Sequence, residues 1–188
     1  MHIDKKYYII KLLHSNPLEL LHLVKTALKT FQYRYIYRCV KAKTIIGKAT
    51  EIINFSNVQI GKNCLILDHV YIRAGLDGEV IIGDFCAINS FAKLFGHGGI
   101  KIGAHSQIGP DCLLTTTTHN YKENLATKFA PITIGERVWI GAKSSILAGV
   151  SIGDYSVIGA GSMVIKDIPP YSVAIGTPAK VIKTIDRT

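Results

Sequence analysis

Residues 134–169 consist of six consecutive hexads, and this repeat limits the fold more than any other feature of the chain. The hexads are IGERVW, IGAKSS, ILAGVS, IGDYSV, IGAGSM and VIKDIP. Each opens on isoleucine or valine, and glycine follows in four of the six. A period of six fits neither an α-helix nor alternating strands. It is typical of a parallel β-helix in which three hexads form one coil and each coil buries its inward side chains against the next.

The same frame extends toward the N-terminus and predicts six coils in total. Before residue 134 the hexads open at Val40, Ile46, Ile52, Ile60, Ile66, Ile72, Ile82, Ile88, Leu94, Ile102, Ile108 and Leu114. Surplus residues occur only after the third hexad of a coil, and the longest surplus is 120–133. We therefore expect every insertion to leave from one corner of the prism, as in solenoids that build a binding face on one side.

Small residues recur at the fifth position of the first hexads, and the register stacks them one coil apart. These residues are Thr44, Cys64, Cys86, Ser106, Val138 and Ser156. Cys64 and Cys86 become neighbours in this ladder. In a reducing compartment we expect them to pack as free thiols, without a disulfide and without thiol catalysis.

The N-terminal segment, residues 1–43, carries most of the charge. It holds nine Lys and Arg against Asp4 and Glu19, which gives +7 of the net +9. Asn16 as N-cap, Pro17 at the first helical position and Glu19 three residues after the cap predict a helix from Pro17 to about Val40.

This helix is predicted to be amphipathic and basic. Its apolar stripe, spaced by three and four residues, consists of Leu21, Val24, Leu28, Phe31 and Tyr35. One interpretation is that the stripe covers the open end of the solenoid, where a terminal coil exposes its core and strand edges. The other is docking on an anionic membrane or polymer. We favour the cap, because such large apolar residues need burial.

Length and composition fit one globular domain. The chain has 188 residues, of which 48% are hydrophobic. No apolar run approaches the roughly 20 residues that span a bilayer, and the opening segment lacks a small-residue cleavage site. We expect a cytoplasmic, unprocessed chain, peripheral at the inner membrane face if residues 1–43 dock there. The basic residues form no nucleic-acid motif, so nucleic acid is not an expected partner.

The hexads, the TTTTHN segment, the single Trp139 and the tail KDIPPYSVAIGTPAKVIK together resemble the hexapeptide-repeat acyltransferases. Within that family they are most similar to the sugar and polysaccharide O-acetyltransferases. The resemblance covers roughly residues 44–183. It implies a left-handed β-helix over 44–169 with a loop insertion at 120–133 and a tail at 170–188. It also implies a homotrimer, an active site in each cleft between subunits, and acetyl-coenzyme A as acyl donor.

His119 matches the catalytic histidine of the family and stands where the longest insertion begins. An alcohol holds its proton too tightly to attack a thioester at neutral pH. An imidazole can take that proton and return it to the leaving thiolate, so a general base of this type is required. The alternative is an ordinary solvent-facing histidine.

The family also implies a binding site for the acyl donor, and its first candidate residues are Gly141, Ala142 and Ala160. The two alanines share the third position of the second hexad in coils five and six, so a pantetheine arm could lie along them. A backbone N–H near Gly141 or Ala142 would serve the oxyanion. Further candidates are Trp139 as a cleft-lining side chain, and Lys166, Lys180 and Lys183 as phosphate-binding point charges. For the lysines, solubility is the alternative role.

The acceptor site is less completely matched. Asn89 matches a family asparagine that could hold a sugar hydroxyl, with a structural ladder as the alternative. His97 and Tyr121 are the other acceptor-binding candidates. Relatives place an aspartate a few residues after the asparagine, and alignment on IKIG puts Gly96 there instead. We expect His97 to substitute for that carboxylate.

Two alternatives come from other functional classes. In the gamma-class carbonic anhydrases three histidines of the same fold hold zinc, but His69, His97, His105 and His119 lack the matching spacing, so we expect no metal site. A non-enzymatic β-helix scaffold is the second alternative. The favoured function is direct, acetyl-coenzyme A-dependent O-acetylation of a sugar or surface polysaccharide. Within the acyltransferases, N-acetylation of an amino sugar is the runner-up.

Overall fold

The computed structural model describes residues 17–122 and 124–186. Its strands form three parallel sheets that wind as the walls of a left-handed β-helix, as predicted. We call the walls face 1, face 2 and face 3 after the hexad whose opening residue each contains.

The three faces share the coils between them. Face 1 contains β3 (Val58–Ile60), β6 (Val80–Ile82), β9 (Ile100–Ile102), β14 (Ile132–Ile134) and β17 (Ser151–Ile152). Face 2 contains β1 (Ile45–Ile46), β4 (Leu65–Ile66), β7 (Ala87–Ile88), β10 (Gln107–Ile108), β15 (Trp139–Ile140), β18 (Val157–Ile158), β20 (Ser172–Gly176) and β21 (Ala179–Thr184). Face 3 contains β2 (Glu51–Ile53), β5 (Tyr71–Ala74), β8 (Lys93–Gly96), β11 (Leu113–Thr115), β16 (Ser145–Ile146) and β19 (Met163–Val164).

The predicted register is confirmed in every coil. All predicted hexad-opening residues are buried, from Val40 at the first coil to Val164 at the sixth. They stack on one another, as Ile66 pairs with Ile88 and Ile88 with Ile108. The repeat determines the register because a slip by one residue would move each isoleucine from the core to solvent.

The surplus residues directly before face 1 do not form loops, which corrects the predicted insertions. Val58, Val80, Ile100 and Ile132 are buried and stacked, so they lengthen the strands of face 1. One arm does leave the prism, between face 3 and face 1. It is an antiparallel hairpin of β12 (Thr117–Asn120) and β13 (Ala126–Phe129). The predicted insertion, 120–133, therefore begins and ends later in the sequence than the hairpin does.

The C-terminal tail belongs to the solenoid. The sixth coil is shortened, because Ile168 pairs with Ile152 only four residues after Val164. Ala174 then stacks on Ile158, and β20 joins face 2 before β21 folds back on it. The β-helix continues past the predicted end at residue 169 because the spacing from Ile168 to Ala174 is again six.

The ladder of small residues is hydrogen bonded as well as packed. Thr44 Oγ1 donates to the carbonyl of Gly61 at 2.6 Å, and Ser106 Oγ donates to that of Gly135 at 2.8 Å. The Cys64 thiol makes the equivalent contact with Gly83 at 3.1 Å. The hydrogen bond with Cys64, and then burial, raises the pKa of the Cys86 thiol. A protonated, buried thiol suits the predicted packing role.

The N-terminal helix is shorter than predicted. Helix α1 spans Pro17–Phe31, and a π-helical turn, Gln32–Ile36, follows it. The prediction carried the helix to Val40, but Val40 already pairs with Ile60 in the first coil. Asn16, the predicted N-cap, lies outside the described residues.

Helix α1 and the π-helical turn do cover the first coil, but with the face opposite to the predicted one. Thr30 Oγ1 accepts the N–H of Ile46 at 2.8 Å, and the Tyr33 hydroxyl accepts the N–H of Ile52 at 3.1 Å. Arg34 Nη2 donates to the Thr44 carbonyl at 2.6 Å. These contacts satisfy strand edges that a first coil leaves open. The apolar stripe that was expected to cover the coil is exposed instead.

Replacing Tyr33 by phenylalanine should destabilise the first coil. The change leaves the buried N–H of Ile52 without its acceptor, which costs about 1–3 kcal/mol. We expect a lower Tm in thermal melting followed by circular dichroism. Tyr35→Phe is the matched control, because Tyr35 is exposed, and it should melt as the native protein does. Equal melting of both variants would show that the hydroxyl does not hold the coil.

Candidate active site

The predicted site residues fall into two groups at different places on the prism. His97, His119, Tyr121 and Lys166 lie at the corner between face 3 and face 1, which we call corner 3/1. The second group lies on face 2 and at the corner between face 2 and face 3, which we call corner 2/3. It contains Asn89, Trp139, Gly141, Ala142, Ala160, Lys180 and Lys183. One chain does not bring the two groups together.

His119 lies on the hairpin arm at corner 3/1. It belongs to β12, pairs with Thr127 of β13, and its side chain is exposed. Its Nδ1 lies 3.1 Å from the carbonyl oxygen of Leu125. A carbonyl only accepts, so Nδ1 carries the proton and Nε2 presents its lone pair to solvent. That tautomer is the one a general base needs.

The Leu125 carbonyl is held by an unusual backbone conformation. Asn124 and Leu125 both have positive φ, 51° and 57°, which is uncommon for residues with a Cβ. The hairpin turn therefore orients a carbonyl toward the imidazole. Sequence reasoning missed this contact because a backbone oxygen leaves no signal in residue type.

The other predicted residues of corner 3/1 differ in how they relate to the arm. His97 stacks on Phe129 of β13, with ring centroids 5.7 Å apart, and its buried Nδ1 has no hydrogen-bond partner among the described residues. Tyr121 is exposed in the hairpin loop, and Lys166 is exposed in the shortened turn of the sixth coil. A hydroxylated ligand beside His119 would meet the His97–Phe129 pair.

Aspartates at the third position of a hexad cap the coil before them. Asp68 Oδ1 accepts the N–H of Lys48 at 2.9 Å, and Asp84 Oδ1 accepts that of Lys62 at the same distance. Asp154 does so for Glu136 at 2.8 Å. Each carboxylate satisfies a backbone N–H that the turn would otherwise leave free.

At corner 2/3 the third position of the second hexad is an aspartate only at Asp68, and coils five and six have alanine there. Ala160 stands over Ala142 where Asp68 stands over Lys48, and alanine has no oxygen to offer. The Ala142 N–H has no acceptor among residues 17–122 and 124–186. The Ala142 carbonyl is used, since it accepts the N–H of Gly161 at 2.8 Å. A Cβ at Gly141 would lie 2.5 Å from Ala160 N, so the backbones approach closely here.

We call corner 2/3 of coils five and six, with its small side chains and its unused donor, the donor groove. Its chemistry suits an extended ligand that offers amide carbonyls. The pantetheine arm of coenzyme A is such a ligand. The alanines at the third positions of these two coils were visible in the sequence. Sequence reasoning used only the small size of the two alanines.

Trp139 and the tail lysines share face 2. Trp139 is exposed and pairs with Val157, which pairs with Val173, which in turn pairs with Lys183. With strands about 4.8 Å apart, Lys183 is roughly 14 Å from Trp139 along the same row. Lys180 pairs with Ile175, and both lysines are exposed. Face 2 therefore carries an aromatic side chain at one level and cations above it.

The structure gives Asn89 and Gly96 local roles. Asn89 Nδ2 donates to the Ile108 carbonyl at 2.8 Å. The amide nitrogen is therefore used inside the solenoid, and Oδ1 is the atom of this side chain that could accept a hydrogen bond from a ligand. Gly96 is buried, and a Cβ there would overlap Cγ2 of Val80. An aspartate at this position would displace the core, which explains physically why the chain has glycine there.

The two other histidines considered for zinc are held in ring stacks. His69 stacks on Phe91 and His105 on Phe85, each at 4.9 Å between centroids. Within the part of the chain that the structure describes, no three His, Cys, Asp or Glu residues are placed to hold a metal ion.

The sequence matches a known family over its last coils. The family model described as bacterial transferase hexapeptide (six repeats) matches residues 131–166. The chain is 37% identical to galactoside O-acetyltransferase of Escherichia coli over 145 residues, which are 75% of this chain and 70% of that protein. It is 34% identical to WcaF of Escherichia coli, whose name assigns it to colanic acid biosynthesis as an acetyltransferase. That match covers 70% of this chain and 72% of the relative.

Solved structures share the fold. A point mutant of AntD, an N-acyltransferase from Bacillus cereus, was crystallised with dTDP-4-amino-4,6-dideoxyglucose and coenzyme A, and it superposes with a TM-score of 0.75. The two are 25% identical, and the match covers 86% of this chain and 88% of that one. The chain therefore belongs to the hexapeptide-repeat acyltransferase family, in its branch of sugar and polysaccharide O-acetyltransferases, as its motifs predicted.

Proposed function

We propose that the protein transfers the acetyl group of acetyl-coenzyme A to a hydroxyl of a sugar or surface polysaccharide, directly and with His119 as general base. The observation that carries the proposal is the fixed tautomer of His119, beside a family whose named relatives acetylate galactosides and take part in colanic acid synthesis. The donor supplies the acetyl group as a thioester, which is activated for attack by an alcohol.

His119 moves one proton. Nε2 takes the proton of the acceptor hydroxyl while the hydroxyl oxygen forms a bond to the thioester carbonyl carbon. The carbon–sulfur bond then breaks, and Nε2 returns the proton to the leaving sulfur. Leu125 holds Nδ1–H through its carbonyl throughout, so the ring keeps its orientation and its charged form gains a charge-assisted hydrogen bond.

The donor groove at corner 2/3 supports acetyl-coenzyme A as the donor. The free N–H of Ala142 would donate to a pantetheine carbonyl, and Ala160 keeps the groove open above it. Trp139 would line the cleft, and Lys180 and Lys183 would meet the nucleotide phosphates as point charges. Lys166 lies at corner 3/1, so in the same subunit it is not part of this groove.

A homotrimer would complete the site. His119 and Ala142 lie at different corners of one prism, so a second subunit must place its own corner against the first. The trimer that the family implies does so three times, with corner 3/1 of one subunit facing corner 2/3 of the next. The acceptor would then lie beside His97, Tyr121 and Asn89 Oδ1.

N-acetylation of an amino sugar is the second candidate. AntD, which shares the fold, was solved with a sugar nucleotide that carries an amino group. The base at His119 would serve an amine as it serves an alcohol. The buried Gly96 removes the carboxylate that relatives use, and an ammonium acceptor would miss that charge more than a neutral hydroxyl would. This difference favours the O-acetyl assignment.

Thiol release measures the reaction directly. Purified protein with acetyl-coenzyme A is assayed for free thiol in the presence of galactosides, oligosaccharides and nucleotide-linked amino sugars. We expect acceptor-dependent release with a hydroxylated sugar that lacks an amine. Release only with amino sugars would replace the first function by the second, and coenzyme A that fails to bind at all would overturn both.

A further inference from the structure

Helix α1 and the π-helical turn after it present an apolar surface to solvent. Leu21, Val24, Leu28, Phe31 and Tyr35 line up on one side, and Leu28 and Phe31 are 64% and 55% exposed. We call these five residues the outer stripe. Soluble proteins rarely leave such a contiguous apolar patch uncovered, and larger patches mark interaction sites.

The outer stripe cannot turn inward, because the opposite side of α1 is bound to the solenoid. Thr30 and Tyr33 hold the N–H groups of the first coil. His22 Nε2 lies 3.9 Å from Asp68 Oδ2, and Thr26 Oγ1 is buried on the same side. The helix is therefore fixed with its polar side on the protein and its apolar side outward.

Three lysines lie beside the outer stripe. Lys25, Lys29 and Lys48 line an open depression of about 300 Å³ together with Leu28, Gln32 and Ala49. Lys48 Nζ lies 4.0 Å from Asp68 Oδ2, and Asp68 also lies near His22. The depression is thus positively charged, and it adjoins the apolar surface. An apolar stripe next to a cationic recess matches the two parts of an anionic lipid, its acyl chain and its phosphate.

We propose that α1 docks the protein on an anionic bilayer, with the outer stripe among the acyl chains and a lipid phosphate in the depression formed by Lys25, Lys29 and Lys48. The charge distribution fits this partner, because residues 1–43 carry +7 of the net +9. It does not fit a second copy of α1, since two such surfaces would bring like charges together. The proposal goes beyond acyl transfer and does not depend on it.

The described helices include none that is long and apolar enough to cross a membrane. Helix α1 would instead lie in the plane of the interface, parallel to the surface, as amphipathic basic helices do. Its contact would place the first coil nearest the lipid and the donor groove, in coils five and six, farthest from it.

Vesicle flotation with the full chain tests the proposal. Vesicles of phosphatidylcholine mixed with phosphatidylglycerol should carry the protein at low salt, and phosphatidylcholine alone should not. Leu28→Gln with Phe31→Gln should weaken binding about tenfold or more. Lys25→Gln with Lys29→Gln should weaken it about thirtyfold, at roughly fivefold for each charge lost near the surface.

Matched variants separate docking from general effects. Leu76→Gln removes a leucine outside the stripe that is more exposed than Leu28, and Lys93→Gln with Lys101→Gln removes two exposed lysines elsewhere. Both should bind vesicles as the native protein does. Native binding by the stripe variant, or no binding to anionic vesicles at low salt, would overturn the proposal. A smaller mass in light scattering for the stripe variant, with vesicle binding intact, would assign the stripe to a second copy instead.

Discussion

Replacing His119 by alanine should lower kcat by a factor of about 10²–10⁴ while the protein stays folded and binds coenzyme A. The side chain is exposed on the hairpin arm, and its one described bond goes to the Leu125 carbonyl, so its loss should cost little stability. Turnover falls because the variant has no general base to take the proton of the acceptor hydroxyl. Steady-state thiol release, together with calorimetric binding of coenzyme A, measures the two quantities separately.

His105→Asn is the matched control for this experiment. His105 is also exposed, has φ of 61°, and lies at the corner between face 1 and face 2, away from both groups of candidate residues. Asparagine tolerates that backbone conformation better than most residues. The control should keep native turnover. Native turnover in His119→Ala as well would remove His119 from the mechanism.

Replacing Ala160 by asparagine should raise the KM for acetyl-coenzyme A by about tenfold or more with little change in Tm. The new side-chain oxygen would stand where Asp68 has one and would take up the free N–H of Ala142. The protein would thereby gain a cap like the one that Asp68 provides for Lys48, and the donor would lose a hydrogen bond and meet a larger side chain. Initial rates against donor concentration measure the change.

Ala104→Asn makes the same change at the third position of a first hexad, outside corner 2/3. It should leave the KM for the donor at its native value. A similar rise in both variants would mean that the effect spreads through the coils rather than arising in the groove. An unchanged KM in Ala160→Asn would place the donor on another surface.

The repeat alone determined the solenoid and its register. Each isoleucine or valine that opens a hexad is buried where the frame put it, because a period of six allows only one set of side chains to face the axis. Local packing also explains why the solenoid was predicted to end at residue 169, although the tail continues it. The spacing from Ile168 to Ala174 restores the period after a four-residue step, and a strict count of hexads could not anticipate that step.

The orientation of α1 was decided by hydrogen bonding rather than by hydrophobicity. Helical periodicity identified the outer stripe correctly, but it could not say which side of the helix faces the protein. The first coil offers unpaired backbone N–H groups, and a polar side bearing Thr30 and Tyr33 satisfies them, whereas an apolar side would leave them buried without partners. An amphipathic pattern predicts that a helix has an apolar side and a polar side. Which of the two packs against the protein depends on the groups that the neighbouring coil offers.

By itself, the sequence determined the fold, the family and the residue types of the candidate site, because all three depend on patterns of side chains along the chain. Only the tertiary structure decided how those residues are used. It placed the Leu125 carbonyl on His119, left the Ala142 N–H without a cap, and put the two on different corners of the prism. These features depend on backbone groups and on neighbours one coil away. The positions of these backbone groups and neighbours follow from the path of the folded chain. They cannot be read from the type of any single residue.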